Sequence, residues 1–497
     1  MTDRKYIDRP ELLMGPNPLI EAVPPFIPME NLAARLTHYP LQDVPWRSIP
    51  PVHREALLEE GARHFAATRC VLEPAAGIQM LIRRSLILRN PLNPGEKRRS
   101  NQIAMISDYK ELKTVIELDG HGGMFAGITG MGKTFLAKRC IEIFLPDQVI
   151  DHGPSAVGGW IRLRQCTYLF VGHPANGARL GLVTNILMAL DRALGTNYMH
   201  EYGRRISVEN GLGIVAQLLS NHRVAILIVD ENQQRNLDES PWHSEFALFY
   251  LSLMNLGVSV LLMGNPLAFR NFHPYSQLVR RLSSAGNYCF EVARTATEPW
   301  WCEDYVPRRH KFSLVEKVSV PKEVRARHEF QASAGNPALF QVYDGEVQRI
   351  ALRRGGESAE LVESDYEEAL RSPRYRDCLA IANSISNASM THRDIPANGN
   401  NTGDDGEGIL KKNLLKQSMT PPEVMEGIKS RLSRFKADTT RRTNLLAKQL
   451  ALRDTLSEDD IRRLVGSDEL LAGSIETQTQ IEQRKALSSV KKPRRKA

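Results

Sequence analysis

The sequence predicts an α/β fold: a P-loop core whose parallel sheet is flanked by helices, then a small helical lid and a helical, partly disordered C-terminal region. Three observations predict it. Between Gly122 and about Phe290, short apolar segments alternate with stretches of helical apolar spacing, the pattern of strands joined by crossover helices. The first of these segments runs into a glycine-rich loop, Gly127 to Thr134 (GITGMGKT), that opens a helical stretch. A later segment, Ala225 to Glu231 (AILIVDE), is apolar until it ends in two adjacent carboxylates, as strands do where a parallel sheet presents its ligand edge.

Composition narrows the class. A chain of 497 residues exceeds one hydrophobic core, so two or three folded units with connectors are expected. Hydrophobic residues at 42% and charged residues at 25% match ordinary globular usage, which excludes a wholly disordered chain. No apolar run approaches the roughly 20 residues that cross a bilayer. Asp3, Arg4, Lys5, Asp8, Arg9 and Glu11 crowd the N-terminus with no apolar stretch behind them, so the reading is a cytoplasmic protein with no membrane partner. Cys70, Cys140, Cys166, Cys289, Cys302 and Cys378 show no two-residue spacing and read as reduced, mostly buried thiols. A net charge of +8 permits a polyanionic partner without requiring one.

Along the chain, residues 1–55 carry ten prolines between Pro10 and Pro51, which should block regular helix and leave an extended arm. Residues 56–121 form an N-terminal helical extension: Leu57, Leu58, Ala62 and Phe65, then Met80, Leu81 and Leu86, suit two helices, and Arg89 to Ser100 reads as a loop ending in a basic cluster. The core spans 122–312, with strands expected at Gly123 to Ala126, Thr167 to Val171, Val224 to Val229 and Val258 to Met263. Arg179 to Leu194 and Glu245 to Leu256 should cover the sheet as helices. Residues 313–382 read as the helical lid, with Phe330, Ala334, Leu339, Phe340, Val342 and Val347 as its core. Residues 383–408 read as a flexible linker, and 409–497 as a charged helical region whose tail, Arg484 to Ala497, holds seven basic residues and no acid.

The chemistry concentrates in four places. Gly127, Thr129, Gly130, Met131, Gly132, Lys133 and Thr134 are the candidate nucleotide-binding residues: glycines let backbone N–H groups converge on phosphate oxygens, Lys133 reaches the β and γ phosphates of ATP, and the Thr134 hydroxyl ligates Mg2+. Asp230 would hold the same Mg2+ and Glu231 would activate the attacking water, although a strand ending in solvated acids has the same sequence. Asn265, at the tip of VSVLLMGNP, suits a γ-phosphate contact or simply a turn before Pro266. Arg280 and Arg281 suit either a guanidinium offered to a neighbouring subunit's nucleotide or a solvated helix end. Lys97 to Arg99, Arg204 with Arg205, and Lys491 to Lys496 are basic clusters able to neutralise phosphates or to face solvent.

NPLIEAVPPF (Asn17 to Phe26), ALDRALGTNYMHEYGRR (Ala189 to Arg205), ILIVDENQ (Ile226 to Gln233) and LLMGNP (Leu261 to Pro266) together resemble TnsC, the AAA+ regulator of Tns-system (Tn-seven-like) cut-and-paste transposons, and more loosely the TniB-type ATPases. The resemblance covers roughly residues 15 to 350. It implies an AAA+ ATPase that assembles as a homo-oligomeric ring or filament on double-stranded DNA, receives target information from a target-selector protein and passes it to transposase subunits. Gly127 to Thr134, Asp230, Glu231 and Asn265 match its nucleotide-handling positions. Asn232, Gln233 and Gln234 depart from it, where an apolar residue and then Gln are expected. A helicase-loader-type ATPase, a nucleotide-binding adaptor without turnover and a signalling switch NTPase are the competing readings. The proline-rich arm, Glu231 and the lack of a visible repeat sensor respectively argue against them.

Overall fold

The computed structural model describes residues 9–105, 115, 117–174, 179–203, 208–232, 243–266, 269 and 280–386. The chain divides into units 1–401 and 402–497, and everything described belongs to the first. Arg204, Arg205, Gln233, Gln234, the stretch 387–408 and all of 409–497 with its basic tail lie outside the described residues.

Prolines start helices in the N-terminal segment instead of preventing them. α1 (Pro18–Glu21) and α3 (Pro51–Leu57) each carry proline in the first turn, where the missing N–H would be unpaired anyway; α2 (Met29–Leu36) follows Pro28. The expected extended arm is therefore corrected to short helices: Leu57 of α3 packs against the cluster that holds Leu314, Tyr343 and Val347, and α1 and α2 dock on α4 (Arg69–Leu88). Asn17 caps α1 by accepting from the Leu19 amide at 3.1 Å and donates Nδ2 to the Leu86 carbonyl at 3.0 Å. Leu19, Ile20, Leu32 and Leu36 are fully buried there. Met80, counted among the apolar positions of this helix, points outward and is 55% exposed.

The expected loop from Arg89 to Ser100 is mostly helix: α5 (Pro94–Ala104) begins at Pro94 with Asn93 accepting from the Gly95 amide at 2.9 Å. This changes the basic cluster as well. Arg98 is exposed and Lys97 donates to the Val157 carbonyl, but Arg99 is buried and paired to Glu96 at 2.7 Å, so it is unavailable to an external phosphate. Glu96 also pairs with Arg223, whose Nη2 donates to Ser100 at 2.9 Å. Arg89 beside them is fully buried, and burial with the neighbouring Arg223 lowers its pKa to about 9.

The sheet has five parallel strands: β1 (Gly122–Gly127), β4 (Tyr168–Gly172), β5 (Ile226–Asn232), β6 (Ser259–Gly264) and β7 (Asn287–Phe290), in the order β4-β5-β6-β1-β7. Register pairs Met124 with Leu262, Val229 with Leu262 and Ala126 with Cys289, with a shift in the β5–β6 ladder between Val229 and Asn232. Alternation sorts the side chains. Met124, Leu227, Val229, Val260 and Leu262 join the core under α7 (Arg179–Leu194), α9 (Val208–Asn221) and α10 (His243–Asn255). Phe125, Ile226, Ile228, Leu261 and Met263 face α4 and α6 (Lys133–Phe144). Each fully buried aliphatic or aromatic side chain contributes about 1.5–3 kcal/mol, which is why these strands read as continuous apolar runs.

Among the elements that the sequence pattern does not announce are the antiparallel pair β2 (Val149–His152) and β3 (Leu163–Cys166), the helix α9, and β7, a half-exposed strand of sequence NYCF. Between β3 and β5 the chain also forms the short α8 (Tyr198–Tyr202). Of the six free thiols only Cys140 and Cys166 are buried, which corrects the expectation of mostly buried cysteines.

Beyond the sheet, a π-helical stretch (Trp300–Tyr305) runs into α11 (Val306–Arg309). The lid follows as α12 (Lys322–Ser333), α13 (Pro337–Gly355), α14 (Glu363–Arg371) and α15 (Arg376–Ser386), with a two-strand ladder of β8 (Lys317–Val318) and β9 (Glu360–Leu361). Leu339, Phe340, Tyr343, Val347 and Ala351 form the buried stripe of α13, and Val342 lies off it at 43% exposure, contrary to its expected core position. α15 continues to Ser386, so the stretch expected as linker begins in helix. Among the described residues no helix is long and apolar enough to cross a membrane.

Candidate nucleotide-binding site

The site forms where β1 ends. β1 lies between β6 and β7, so the chain order of the sheet reverses there, and the edge beyond the carboxyl ends at such a switch is where open parallel sheets bind ligands. Gly130 (φ +90°) and Gly132 (φ +81°) take left-handed backbone that side chains disfavour, and a Cβ on Gly130 would come within 2.5 Å of Asn336 Oδ1. Gly132 is the N-cap of α6, whose positive dipole end therefore faces the loop.

Lys133 Nζ donates to the carbonyls of Gly127 (2.7 Å) and Ile128 (3.0 Å), which lays the side chain along the loop. Thr134 Oγ1 donates to Asp230 Oδ2 at 2.7 Å, joining the helix start to the end of β5 across 96 residues. Asp230 is 8% exposed. These are two hard oxygen donors at the mouth of a phosphate loop, a donor set that fits Mg2+ and offers nothing to softer metals. Asn265, buried to 9% exposure at the end of β6, lines the same cavity. Glu231 continues β5 beside Asp230, and its side chain lies outside the described set.

The arginines do not join them. Neither Arg280 nor Arg281 lines the cavity. Arg280 is exposed, and Arg281 donates to Asn255 Oδ1 and, at 3.4 Å, to the Leu118 carbonyl, so the structure ties Arg281 to its own chain.

The cavity has a volume of about 770 Å3, and its lining joins the loop from Gly127 to Thr134, Asp230 and Asn265 to the side chains of Phe65, Val71, Pro74 and Tyr288, flat or apolar surface of the kind that suits an aromatic base.

A residue the sequence reading missed joins lid to loop. Asn336 is fully buried, donates Nδ2 to the Thr129 carbonyl at 2.9 Å, and caps α13 by accepting from the amides of Ala338 (3.0 Å) and Leu339 (3.3 Å). The Ala338 amide also donates to the Gly130 carbonyl at 3.1 Å, and Ile128 and Met131 of the loop pack with Leu339, Ala382 and Ile385 of the lid. Asn followed by Pro is a readable helix start, but nothing local says that its side chain grips a loop some two hundred residues earlier. Asn336→Ala should cost about 1–2 kcal/mol through the lost cap, and should accelerate amide hydrogen exchange across residues 128–132. A destabilised variant with unchanged exchange in the loop would separate the cap from the grip.

Two buried histidines add a pH response. Burial, with Arg309 nearby, lowers the His64 pKa to about 3, and burial lowers that of His173 to about 4, against 6.5 for the free side chain. In the window below about 6.5 the unfolded chain binds protons that the folded chain refuses, so stability is complete above it and falls as pH drops through it. The melting temperature should decline by several degrees from pH 7 to pH 5, and the decline should flatten in His173→Phe.

One further cluster, His310, Glu329 and Asp344, has metal-ligand spacing. Arg325 pairs with Glu329 at 2.7 Å and approaches Asp344 at 3.8 Å, so the cluster is a charge-compensated ion-pair network inside the lid.

A parallel sheet with flanking helices, a glycine-rich loop after β1 and an Asp-Glu pair at the end of the neighbouring-but-one strand define a P-loop α/β fold. Residues 120–272 match the family described as AAA domain. No curated protein is significantly similar to the chain. Among solved structures the chain is similar to the Orc1 protein of Aeropyrum pernix in complex with DNA (16% identity, TM-score 0.36, covering 73% of this chain and 87% of that one). It is also similar to Cdc6p from Pyrobaculum aerophilum (12%, TM-score 0.35, 78% and 88%) and to Drosophila ORC bound to DNA (15%, TM-score 0.33, 77% and 92%). At TM-scores this low neither substrate nor partner follows from the likeness.

Proposed function

We propose that the chain is an ATP-dependent regulator of DNA transposition: a cytoplasmic AAA+ ATPase that assembles as a ring or filament on double-stranded DNA and links a target-selector protein to transposase subunits. The observation that carries the ATPase part is the Thr134–Asp230 pair at 2.7 Å, set at the mouth of the loop that ends in Lys133. Gly127, Thr129, Gly130, Met131, Gly132 and Lys133 hold the phosphates, and the apolar wall from Phe65 to Pro74 takes the base. Thr134 and Asp230 would hold Mg2+, which when bound neutralises charge on the β and γ phosphates. Glu231 orients and deprotonates the attacking water, and Asn265 contacts the γ phosphate. Arg280, which is exposed, is the candidate for a contact in trans, with Arg281 its alternative despite its intramolecular bonds.

Transposition rests on the resemblance of Asn17 to Phe26, Ala189 to Arg205, Ile226 to Gln233 and Leu261 to Pro266 to TnsC. Nucleotide bridging two subunits would make assembly follow nucleotide state, a population shift set by differential binding. Negative-stain microscopy with duplex DNA, comparing ATP, a non-hydrolysable analogue and no nucleotide, is expected to show assemblies only with the first two. Absence of nucleotide-dependent assembly even with candidate partners added would sink the proposal. Glu231→Gln should reduce turnover by about 10²–10⁴-fold with binding retained; unchanged turnover would remove Glu231 from the mechanism and favour an adaptor.

A further inference from the structure

The four carbonyls from Gly127 to Gly130 all have partners, drawn from two places. Lys133 Nζ takes those of Gly127 (2.7 Å) and Ile128 (3.0 Å). The lid takes the next two: Asn336 Nδ2 donates to Thr129 at 2.9 Å and the Ala338 amide donates to Gly130 at 3.1 Å. In a trans peptide the N–H points opposite to the C=O of the same plane, so the two lid bonds turn the Gly130 and Met131 N–H groups to the side of the loop away from Asn336. The loop lines the cavity, and Asn336, 1% exposed, does not. The backbone agrees with this orientation. φ is positive at Gly130 and Gly132 and not at Thr129 and Met131, an alternation that gathers successive N–H groups into an anion-binding concavity.

Lys133 is also the group that is to reach the phosphates, so its two bonds compete with a ligand, whereas the two from the lid do not. Asn336 Oδ1 accepts from the Ala338 and Leu339 amides, which fixes the side chain at the start of α13. Ile128 and Met131 pack on Leu339, Ala382 and Ile385, so turning the peptide planes of the loop separates it from the lid. We infer that Asn336 and the first turn of α13 are a positioning element for phosphate: they hold the Thr129–Gly130 and Gly130–Met131 peptides with their N–H groups set for phosphate oxygens, so that lid docking and phosphate binding strengthen each other. The coupling is reciprocal, since whatever factor docking adds to phosphate affinity, phosphate adds to docking. The inference rests on the nucleotide-site reading above and gives the lid a part in it.

The test uses the full-length protein with Mg2+ and measures ATP by calorimetric titration and inorganic triphosphate, which has neither base nor ribose, by competition with ATP. Asn336→Ser keeps an acceptor for the α13 cap and is too short to reach the Thr129 carbonyl. It should weaken ATP and inorganic triphosphate alike, each by about tenfold, as expected when one positioning hydrogen bond is lost. In wild type, inorganic triphosphate should slow amide hydrogen exchange across residues 338–340 by about the same tenfold factor, and in Asn336→Ser that protection should disappear. Unchanged affinities in Asn336→Ser overturn the inference. So does a loss confined to ATP, which would place the effect of the lid at the base or ribose, and so does failure of inorganic triphosphate to compete in wild type, because a preset cradle binds phosphate without a base. If the variant does not fold, wild type decides: exchange across 338–340 that triphosphate leaves unchanged overturns the inference. Where any of these results comes with ATP binding that Lys133→Ala abolishes, only the role of the lid is lost; if wild type binds no ATP, the nucleotide-site reading falls and this inference with it.

Discussion

Lys133→Ala is expected to lower ATP affinity and turnover by at least about a hundredfold while leaving the melting temperature close to wild type. The ammonium is a half-exposed group held along the loop by two carbonyls, at 2.7 and 3.0 Å, and surface groups of this kind change stability by less than about 1 kcal/mol. Against the β and γ phosphates the same charge works at the mouth of a cavity from which water is partly excluded, where a positioned cation has far more effect than it has in solvent. The Gly130 and Gly132 backbone, the α6 N-terminus and the Thr134–Asp230 pair stay in place, so the variant isolates the charge. Calorimetric titration with ATP, a turnover assay and a thermal melt are the three measurements. An affinity within a few-fold of wild type would remove Lys133 from phosphate binding and with it the reading of the loop.

Glu96→Ala is expected to give the largest loss of stability, about 3–5 kcal/mol, with no direct effect on the nucleotide site. Among the described residues Glu96 is the one carboxylate paired with the two buried arginines Arg99 and Arg223, and it lies near the fully buried Arg89. Removing it leaves those guanidiniums in low dielectric with reduced compensation, and Arg89, already lowered to about 9 by burial and by Arg223, shows how far the local environment disfavours positive charge. Glu96→Gln keeps the shape and part of the hydrogen bonding, so its loss should be smaller. Urea unfolding monitored by circular dichroism measures both. A loss below about 1 kcal/mol in Glu96→Ala would mean that the arginines find other counter-charges and that Glu96 does not hold α5 to the sheet.

These two predictions draw on different kinds of information. The loop from Gly127 to Thr134 and the carboxylates at Asp230 and Glu231 were legible because their signals are local: glycines at fixed offsets, and an apolar run that ends in charge. The central strands were legible for the same reason, since strands buried on both faces read as uninterrupted apolar segments, and Arg179–Leu194 begins and ends where its apolar spacing does. β7 was not legible because half of its residues face outward, and what makes it a strand is the register it finds on β1. Arg99 and Arg281 read as free cations because a sequence lists charges without their partners. One is buried against Glu96, and the other is bonded to Asn255.

By itself, then, the sequence determined the glycine-rich loop at the start of α6, the alternation that builds a parallel sheet and the Asp-Glu pair at the end of β5, since each depends on residues within a few positions of one another. Only the tertiary structure decided that Asn336 grips the loop from the lid and that Arg99, read as part of a basic cluster, belongs to an internal ion-pair network. Those facts depend on contacts between residues far apart in the chain, where burial and the identity of the partner set the chemistry of a side chain whose type alone leaves it open.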